Sequence, residues 1–417
     1  MQGERLTQTH RERNYGVLRS WFPRWAWNTA CNFAKIREEF LRDGKRFALA
    51  DYKGTCKGPA LIVGAGPSFD TAAPFLKDWK GALFASESLA STCVYHGRSP
   101  EYVAVYDGNQ AVHDLFFKGQ DVGDQILLAH PAISEKVINE WRGEKRYYVM
   151  MHMPSVDLKA VFTDFFTEEG DDKLPDDMTI GELRAGVAGY DDNPDHTWWI
   201  PFRSAMLRAV LTGKDHMFGD DFFTAINPIM FSYIRTMILN AGCVVNNMIQ
   251  CANYLGYSPI FLAGVDFGYP GDINRSTGYR KDEHGEWVET PPYKIDAETF
   301  GRTLHRSNND ILTTEEQIEY KTAMMAVYMQ EVVNLWDCSD GIITELPKAT
   351  INEVIEYYER SDAAGTTGRA EERFPARSMD EVARIGMAYH HSQQAADTER
   401  DVNRENPQVL DTAGSGS

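Results

Sequence analysis

The sequence predicts an α/β fold of the Rossmann type, a mostly parallel sheet with helices on both faces. Between residues 59 and 151, short apolar runs rich in β-forming residues alternate with helical stretches. The runs are separated by ~10–20 residues, which is the spacing of βαβ units. The same alternation resumes near residue 242. The strand candidates are Ala60–Val63, Leu83–Ala85, Tyr102–Tyr106, Gln125–Ala129, Tyr147–Met151 and Ile260–Ala263.

Helices are predicted from caps and apolar periodicity. A helix is expected over 28–42 with Asn28 as its cap, and another over 242–256. Thr314 and Gln317 form a capping-box pattern, which predicts a helix from there to about Val333. A last strand and turn follow, then a short helix near 350–359 and one more from Ser378 to about Arg400.

The chain is predicted to be organised around one catalytic domain. An N-terminal basic, aromatic helical arm covers 1–50, and the Rossmann-like domain covers 51–345. We expect an insertion at about 153–220, where the α/β pattern is lost, and a lid-like region at about 269–310. A helical C-terminal extension over 346–400 and a disordered tail over 401–417 complete the predicted organisation.

The composition indicates a soluble, cytoplasmic protein. Of the 417 residues, 43% are hydrophobic and 25% are charged, and the apolar runs are shorter than a membrane-spanning segment. Met1 to Arg13 is polar and lacks the apolar core of a secretory signal. Without such a signal the six cysteines are expected to be reduced, and their spacing, which contains no CxxC pair, is uninformative.

The formal net charge of −19 argues against a nucleic-acid-binding surface, because such surfaces need clustered Lys and Arg. The N-terminal arm differs, since ten Lys/Arg and five Asp/Glu through residue 50 give it a charge of about +5. It also contains Trp21, Phe22, Trp25 and Trp27. The arm either contacts a partner protein or membrane surface, or packs as a helix on the core.

A glycine turn follows the first core strand. In Gly64-Ala65-Gly66-Pro67-Ser68, glycines would let the backbone approach a ligand, and Pro67 suits the first turn of a helix. Free N–H groups and the Ser68 hydroxyl would bind phosphate. The alternative is a tight turn that needs glycine for packing alone. A P-loop is excluded because no Gly-Lys-Ser/Thr follows.

Two acidic residues directly follow other predicted strands. Asp107 comes after Tyr102–Tyr106 and is followed by Asn109, and Asp266 comes after Ile260–Ala263. At the carboxyl ends of parallel strands such residues hold Mg²⁺ on a polyphosphate or bind a ribose, and otherwise they cap the next helix. His305, at the end of the lid-like region, is a candidate general base or phosphate contact, with a surface histidine as the alternative.

These segments together resemble the MptE-like 6-hydroxymethylpterin diphosphokinase domain, which also occurs in the flagellin-modifying Maf proteins. The order and spacing match over about 45–275: the glycine turn, then Ser99-Pro100-Glu101-Tyr102 leading to Asp107, then Leu255-Gly256-Tyr257 leading to Asp266. The resemblance implies a Rossmann-like fold and transfer from a nucleotide donor. One branch transfers diphosphate from ATP to a pterin alcohol, and the other an acidic sugar from a CMP-sugar.

The sequence departs from the diphosphokinase branch at one motif. Gly242-Cys243-Val244 stands where that branch has Gly-Asp-Arg, and it is closer to the Gly-x-Val of the Maf branch. Three interpretations therefore remain. The first is a diphosphokinase-like enzyme with Mg²⁺ on Asp107 and Asp266. The second is a glycosyltransferase with His305 as base and a small-molecule or glycan acceptor. The third is a non-catalytic binding or assembly protein.

Overall fold

The structure of the chain is a computed structural model. The residues described are mainly 48–109, 123–152, 234–295, 304–331 and 334–363, with gaps of one or two residues, together with short pieces of 28–42, 112–117 and 373–385. The expected insertion at 153–220, the tail at 401–417 and the aromatic part of the arm lie outside the described residues.

A seven-stranded sheet forms the centre of the fold, and every pairing within it is parallel. Its strands are β1 (Ala60–Val63), β2 (Ala82–Ser86), β3 (Tyr102–Val105), β4 (Ile126–Ala129), β5 (Lys145–Tyr148), β8 (Ile260–Ala263) and β13 (Leu335–Asp337). Their order across the sheet is β13-β8-β1-β2-β3-β4-β5. Strands β1, β3 and β8 are buried along their whole length, as expected of strands covered on both faces.

Among the described residues, six further strands lie outside this sheet and form three two-stranded pairs. β6 and β7 pair in parallel, whereas β9 with β10 and β11 with β12 are antiparallel. Their bounds are β6 (Met150–His152), β7 (Met237–Leu239), β9 (Gly278–Lys281), β10 (Trp287–Thr290), β11 (Leu304–Arg306) and β12 (Leu312–Thr314).

The helices cover both faces of the sheet. Ala60 and Ile62 of β1 pack into one hydrophobic layer, and Leu61 and Val63 pack into the opposite one, because successive side chains of a strand alternate. The helices are α1 (Phe69–Ala72), α2 (Glu87–Tyr95), α3 (Glu135–Glu140), α4 (Val244–Leu255), α5 (Glu315–Glu331) and α6 (Ile351–Ala363). The predicted Rossmann-like α/β fold is therefore confirmed.

The N-terminal helix packs on the carboxyl edge of the sheet. The described residues of 28–42 are helical, and the amide of Asn28 donates to the carbonyl groups of Gly108 and Ala132 at 2.8 and 2.9 Å. Asn32 donates to two further carbonyl groups in 131–133. The sequence assigned Asn28 as the helix cap, and this is wrong, because Asn28 is helical and its amide instead joins the loops after β3 and β4.

Three further expectations need correction. The fifth strand was placed at Tyr147–Met151, but β5 ends at Tyr148, and Met150 begins β6, which pairs with β7. Pro67 was expected in the first turn of the helix after the glycine turn, but that helix, α1, begins at Phe69 and continues as a 3-10 segment after four residues. The capping box of α5 is half formed: Thr314 Oγ1 accepts from the N–H of Gln317 at 3.3 Å, but Gln317 Oε1 has no partner.

The predicted lid-like region is ordered where it is described. The β9–β10 hairpin packs on α2, where the hydroxyl oxygen of Thr92 accepts from the N–H of Tyr279 at 3.0 Å and the rings of Tyr95 and Tyr279 stack at 3.7 Å. Within the described parts of the chain, no helix is long and apolar enough to cross a membrane.

Candidate functional site at the carboxyl edge of the sheet

The order in which strands are added to the sheet reverses between β8 and β1. The chain first places β2 to β5 in succession on one side of β1. It then returns to place β8 and β13 on the other side of β1. In open parallel sheets this switch point leaves a crevice outside the carboxyl ends of the strands, where ligands bind. The glycine turn after β1 and the 264–268 segment after β8 lie together at this point.

The glycines of the turn are required by backbone packing. A Cβ atom on Gly64 would lie 2.6 Å from the carbonyl oxygen of Gly264, and one on Gly66 would lie 2.3 Å from Asp266 Oδ2. The N–H of Gly66 donates to Gly264 at 2.8 Å, and the N–H of Phe69 donates back to Gly66 at 3.0 Å. Both of these N–H donors are therefore used in hydrogen bonds within the protein.

Ser68 is also bonded within the protein. Its N–H donates to Asp266 Oδ2 at 2.9 Å and its hydroxyl to Asp266 Oδ1 at 2.6 Å. From the sequence, these two donors were expected to bind a phosphate together with Gly64, Gly66 and Pro67. In this structure Ser68 instead fixes the glycine turn against the loop after β8, and phosphate binding by the turn stays a prediction.

Asp266 is buried, with only 2% of its surface exposed. Burial raises the pKa of its carboxyl group to about 6, although the two hydrogen bonds from Ser68 oppose that shift and the nearby Asp337 and Asp340 add to it. Because both carboxylate oxygens already accept hydrogen bonds, Asp266 primarily positions the turn.

Asp107 and Asn109 lie at the carboxyl end of β3. Asp107 is exposed, and its Oδ1 accepts from the N–H of Asn109 at 2.8 Å, which closes a local turn. The intervening Gly108 is held by Asn28 of the N-terminal helix. The structure therefore presents the Asp107 carboxylate to solvent from a fixed loop.

Glu87 is a site residue that the sequence analysis missed. It is the first residue after β2, between the turn that follows β1 and Asp107, and its buried Oε2 atom has no hydrogen-bond partner among the described residues. Burial raises the pKa of its carboxyl group to about 7, and the negative charge of Asp107 adds to the shift. The same signal that selected Asp107, an acidic residue directly after a strand, was available for Glu87.

His305 lies on a separate strand pair. Its partner in the β11–β12 ladder is Thr313, whose hydroxyl donates to the carbonyl oxygen of Phe267 at 2.8 Å, next to Asp266. Its Nε2 atom is 3.9 Å from Glu315 Oε1. The histidine is thus joined to the loop after β8 through β12, and its role as a base stays a prediction.

A further segment, 272–277, closes over the glycine turn. The N–H of Ser276, which is fully buried, donates to the carbonyl oxygen of Ala65 at 3.1 Å. The N–H and hydroxyl of Thr277 both bond the carboxylate of Asp70, at distances from 2.9 to 3.1 Å. This segment therefore lies against the glycine turn and the first turn of α1.

The family comparison falls on the first half of this site. Residues 29–190 match the model of a family described as 6-hydroxymethylpterin diphosphokinase MptE-like. This chain carries an MptE-like region. The region contains the glycine turn, Glu87 and Asp107, whereas Asp266 lies beyond it. The resemblance recognised in the sequence is thereby confirmed for residues 29–190.

A solved structure is similar to a larger part of the chain. It is the MAf glycosyltransferase from Magnetospirillum magneticum AMB-1, with 13% sequence identity, a TM-score of 0.36 and coverage of 82% of this chain. The match covers 47% of that protein, so this chain spans less than half of its length. No curated protein matches the chain significantly.

Proposed function

We propose that this protein is a nucleotide-dependent transferase that binds its donor at the carboxyl edge of β8, β1, β2 and β3. The main support is that the glycine turn and two candidate acids lie at the same edge of the sheet. The glycine turn of the MptE-like region lies at the switch point of the sheet, where α/β folds bind ligands. The candidate acids Glu87 and Asp107 follow the next two strands, β2 and β3, at the same edge.

The acids present suit Mg²⁺, which proteins bind through one or two carboxylates while substrate phosphates and water complete the shell. Glu87 and Asp107 are the pair we favour, because Oε2 of Glu87 has no hydrogen-bond partner among the described residues. Asp266, the other ligand expected from the sequence, already accepts two bonds from Ser68. No group of three potential metal ligands occurs in the described chain. A bound Mg²⁺ would offset the negative charge of the donor phosphates.

The favoured reaction is diphosphoryl transfer from ATP to an alcohol of the hydroxymethylpterin type. The hydroxyl oxygen of the acceptor forms a bond to the β-phosphorus, and the bond between that phosphorus and the oxygen bridging to the α-phosphate breaks. AMP leaves with the bonding electron pair, and the proton of the acceptor hydroxyl passes to a protein base.

One observation favours glycosyl transfer from a CMP-sugar as the second candidate. The helix α4 starts at Gly242-Cys243-Val244, so it has no carboxylate where the diphosphokinase branch has Gly-Asp-Arg. Burial also raises the pKa of the Cys243 thiol to about 12, which keeps this position uncharged. In this reaction His305 would accept the proton of the acceptor hydroxyl, and CMP would leave.

Calorimetric titration with ATP and CMP, each with and without Mg²⁺, tests the proposal. Mg²⁺-dependent ATP binding would support diphosphoryl transfer, whereas Mg²⁺-independent CMP binding would support glycosyl transfer. Asp107→Asn and Glu87→Gln should each weaken the Mg²⁺-dependent binding by about tenfold or more. Glu135→Gln, a glutamate at the start of α3, is the matched control and should bind as the wild type does. Absence of binding to either nucleotide would reject the proposal and favour a non-catalytic binding protein.

A further inference from the structure

Arg275 lies in the segment that closes over the glycine turn, and its two neighbours are fixed. Asn274 exchanges two hydrogen bonds with Tyr293, at 2.8 and 3.1 Å. On the other side, Ser276 donates to the carbonyl oxygen of Ala65 in the glycine turn at 3.1 Å. The backbone of Arg275 is therefore held at a defined position beside the candidate nucleotide site.

The side chain of Arg275 has no ionic partner. It is half-buried, its Nε atom is buried without a hydrogen-bond acceptor, and it forms no ion pair with any described residue. Other partly buried arginines are paired: Arg98 with Glu101, and Arg146 with Glu39. An unpaired buried donor costs free energy, and the cost is larger when the group is charged. An external acceptor would remove that cost.

The glycine turn needs such a cation if it is to hold an anion. The N–H groups of Gly66 and Ser68 already donate to Gly264 and Asp266, and the neighbouring side chain of Asp266 is itself acidic. The whole chain carries a formal charge of −19, so its overall field repels phosphate. A nearby guanidinium group would supply the local positive charge that the turn lacks.

We propose that Arg275 binds the phosphate group of the ligand held beside the glycine turn. A guanidinium group can donate two parallel N–H bonds to two oxygens of one phosphate. Its Nη2 atom lies 3.7 Å from where a Cβ would stand on Gly278, so the guanidinium group lies beside the start of β9. This inference rests on the proposed function, and it names the residue that distinguishes a nucleotide from a nucleoside.

The test compares Arg275→Gln with a matched control. Arg280→Gln removes an arginine five residues further along, on the exposed part of β9. Calorimetry would measure the affinity of each variant and of the wild type for CMP, ATP, cytidine, adenosine and inorganic diphosphate. We expect Arg275→Gln to weaken binding of the nucleotide that the wild type binds by about tenfold or more. The nucleoside affinity and the Arg280→Gln variant should remain within about twofold of the wild type.

The outcomes separate this inference from the proposed function. Nucleotide binding that is equal in Arg275→Gln and wild type would overturn the role of Arg275 and leave the proposed function standing. Diphosphate binding that requires Arg275, without nucleotide binding, would support the anion site and reject the nucleotide. If the wild type binds neither, both are rejected. Circular dichroism spectra and melting temperatures equal to the wild type would show that the variants are folded.

Discussion

The contact between Ser68 and Asp266 joins two residues that are 198 positions apart in the chain. Because the acid is buried and fixes the turn, substitutions at the glycines act through the fold as well as through a ligand. Gly66→Val, an obvious test of phosphate binding, would place carbon atoms against Asp266 and Gly264. Variants of Arg275, Glu87 and Asp107 are therefore better tests of ligand binding.

Glu87 should make the stability of the protein depend on pH. Its carboxyl pKa rises from 4.5 to about 7, so the folded protein retains a proton in that interval that the unfolded chain has released. Stability therefore falls as pH rises through this window. Relative to Glu87→Gln, the wild type should lose about 1–2 kcal/mol between pH ~4.5 and ~8, less than the full shift implies because the residue is partly exposed.

Urea unfolding of the wild type and Glu87→Gln at several pH values would measure this difference. The comparison is between two proteins at each pH, so the titration of other groups cancels to first order. A difference in the free energy of unfolding that stays constant across the interval would contradict a raised pKa for Glu87.

At the scale of elements, three turns at the carboxyl edge interlock. The glycine turn after β1 contacts the loop after β8, and the turn after β13 contacts the same loop from the other side. The N–H of Val265 donates to Ser339 Oγ at 2.9 Å, and the N–H of Ile342 donates to the carbonyl oxygen of Asp266 at 2.8 Å. The site is therefore built by the packing of these turns.

Gly341→Ala should disturb this packing. A Cβ atom on Gly341 would lie 2.0 Å from the carbonyl oxygen of Asp266, and a backbone atom cannot move away by changing rotamer. We expect a loss of about 1–3 kcal/mol in the free energy of unfolding, and weaker nucleotide binding. Gly278→Ala is the control, since the nearest atom to its Cβ would be 3.6 Å away. Equal stability of both variants would contradict the interlocking of the turns.

The sequence predicted the elements better than the site. Strands β1 and β8 have the expected bounds, because continuous apolar runs ended by turn residues identify buried parallel strands. The bond from Ser68 to Asp266 could not be read from the sequence, since it depends on which loops meet at the switch point. The absence of a partner for Arg275 is likewise a property of the folded chain.

At the scale of the whole molecule, the two hydrophobic layers share one sheet. Leu61 and Ile62 are adjacent in β1, both fully buried, and they point to opposite layers. One layer contains residues of α4 and α5, and the other contains residues of α2 and α6. Since β1 is central, neither layer can lose its packing without weakening the strand that supports the other.

Leu61→Ala and Ile62→Ala should therefore destabilise the same cooperative unit. Each is expected to cost about 2–5 kcal/mol, the usual range for a truncated buried side chain. In each variant, hydrogen exchange should accelerate in both α4 and α6, although the two helices cover different faces, because exchange from central elements proceeds through global unfolding. Leu41→Ala, at a leucine that is 64% exposed, is the control and should change stability by less than about 0.5 kcal/mol. Acceleration confined to the helix on the mutated side would show that the two layers unfold separately. Each layer would then support the switch point between β8 and β1 independently.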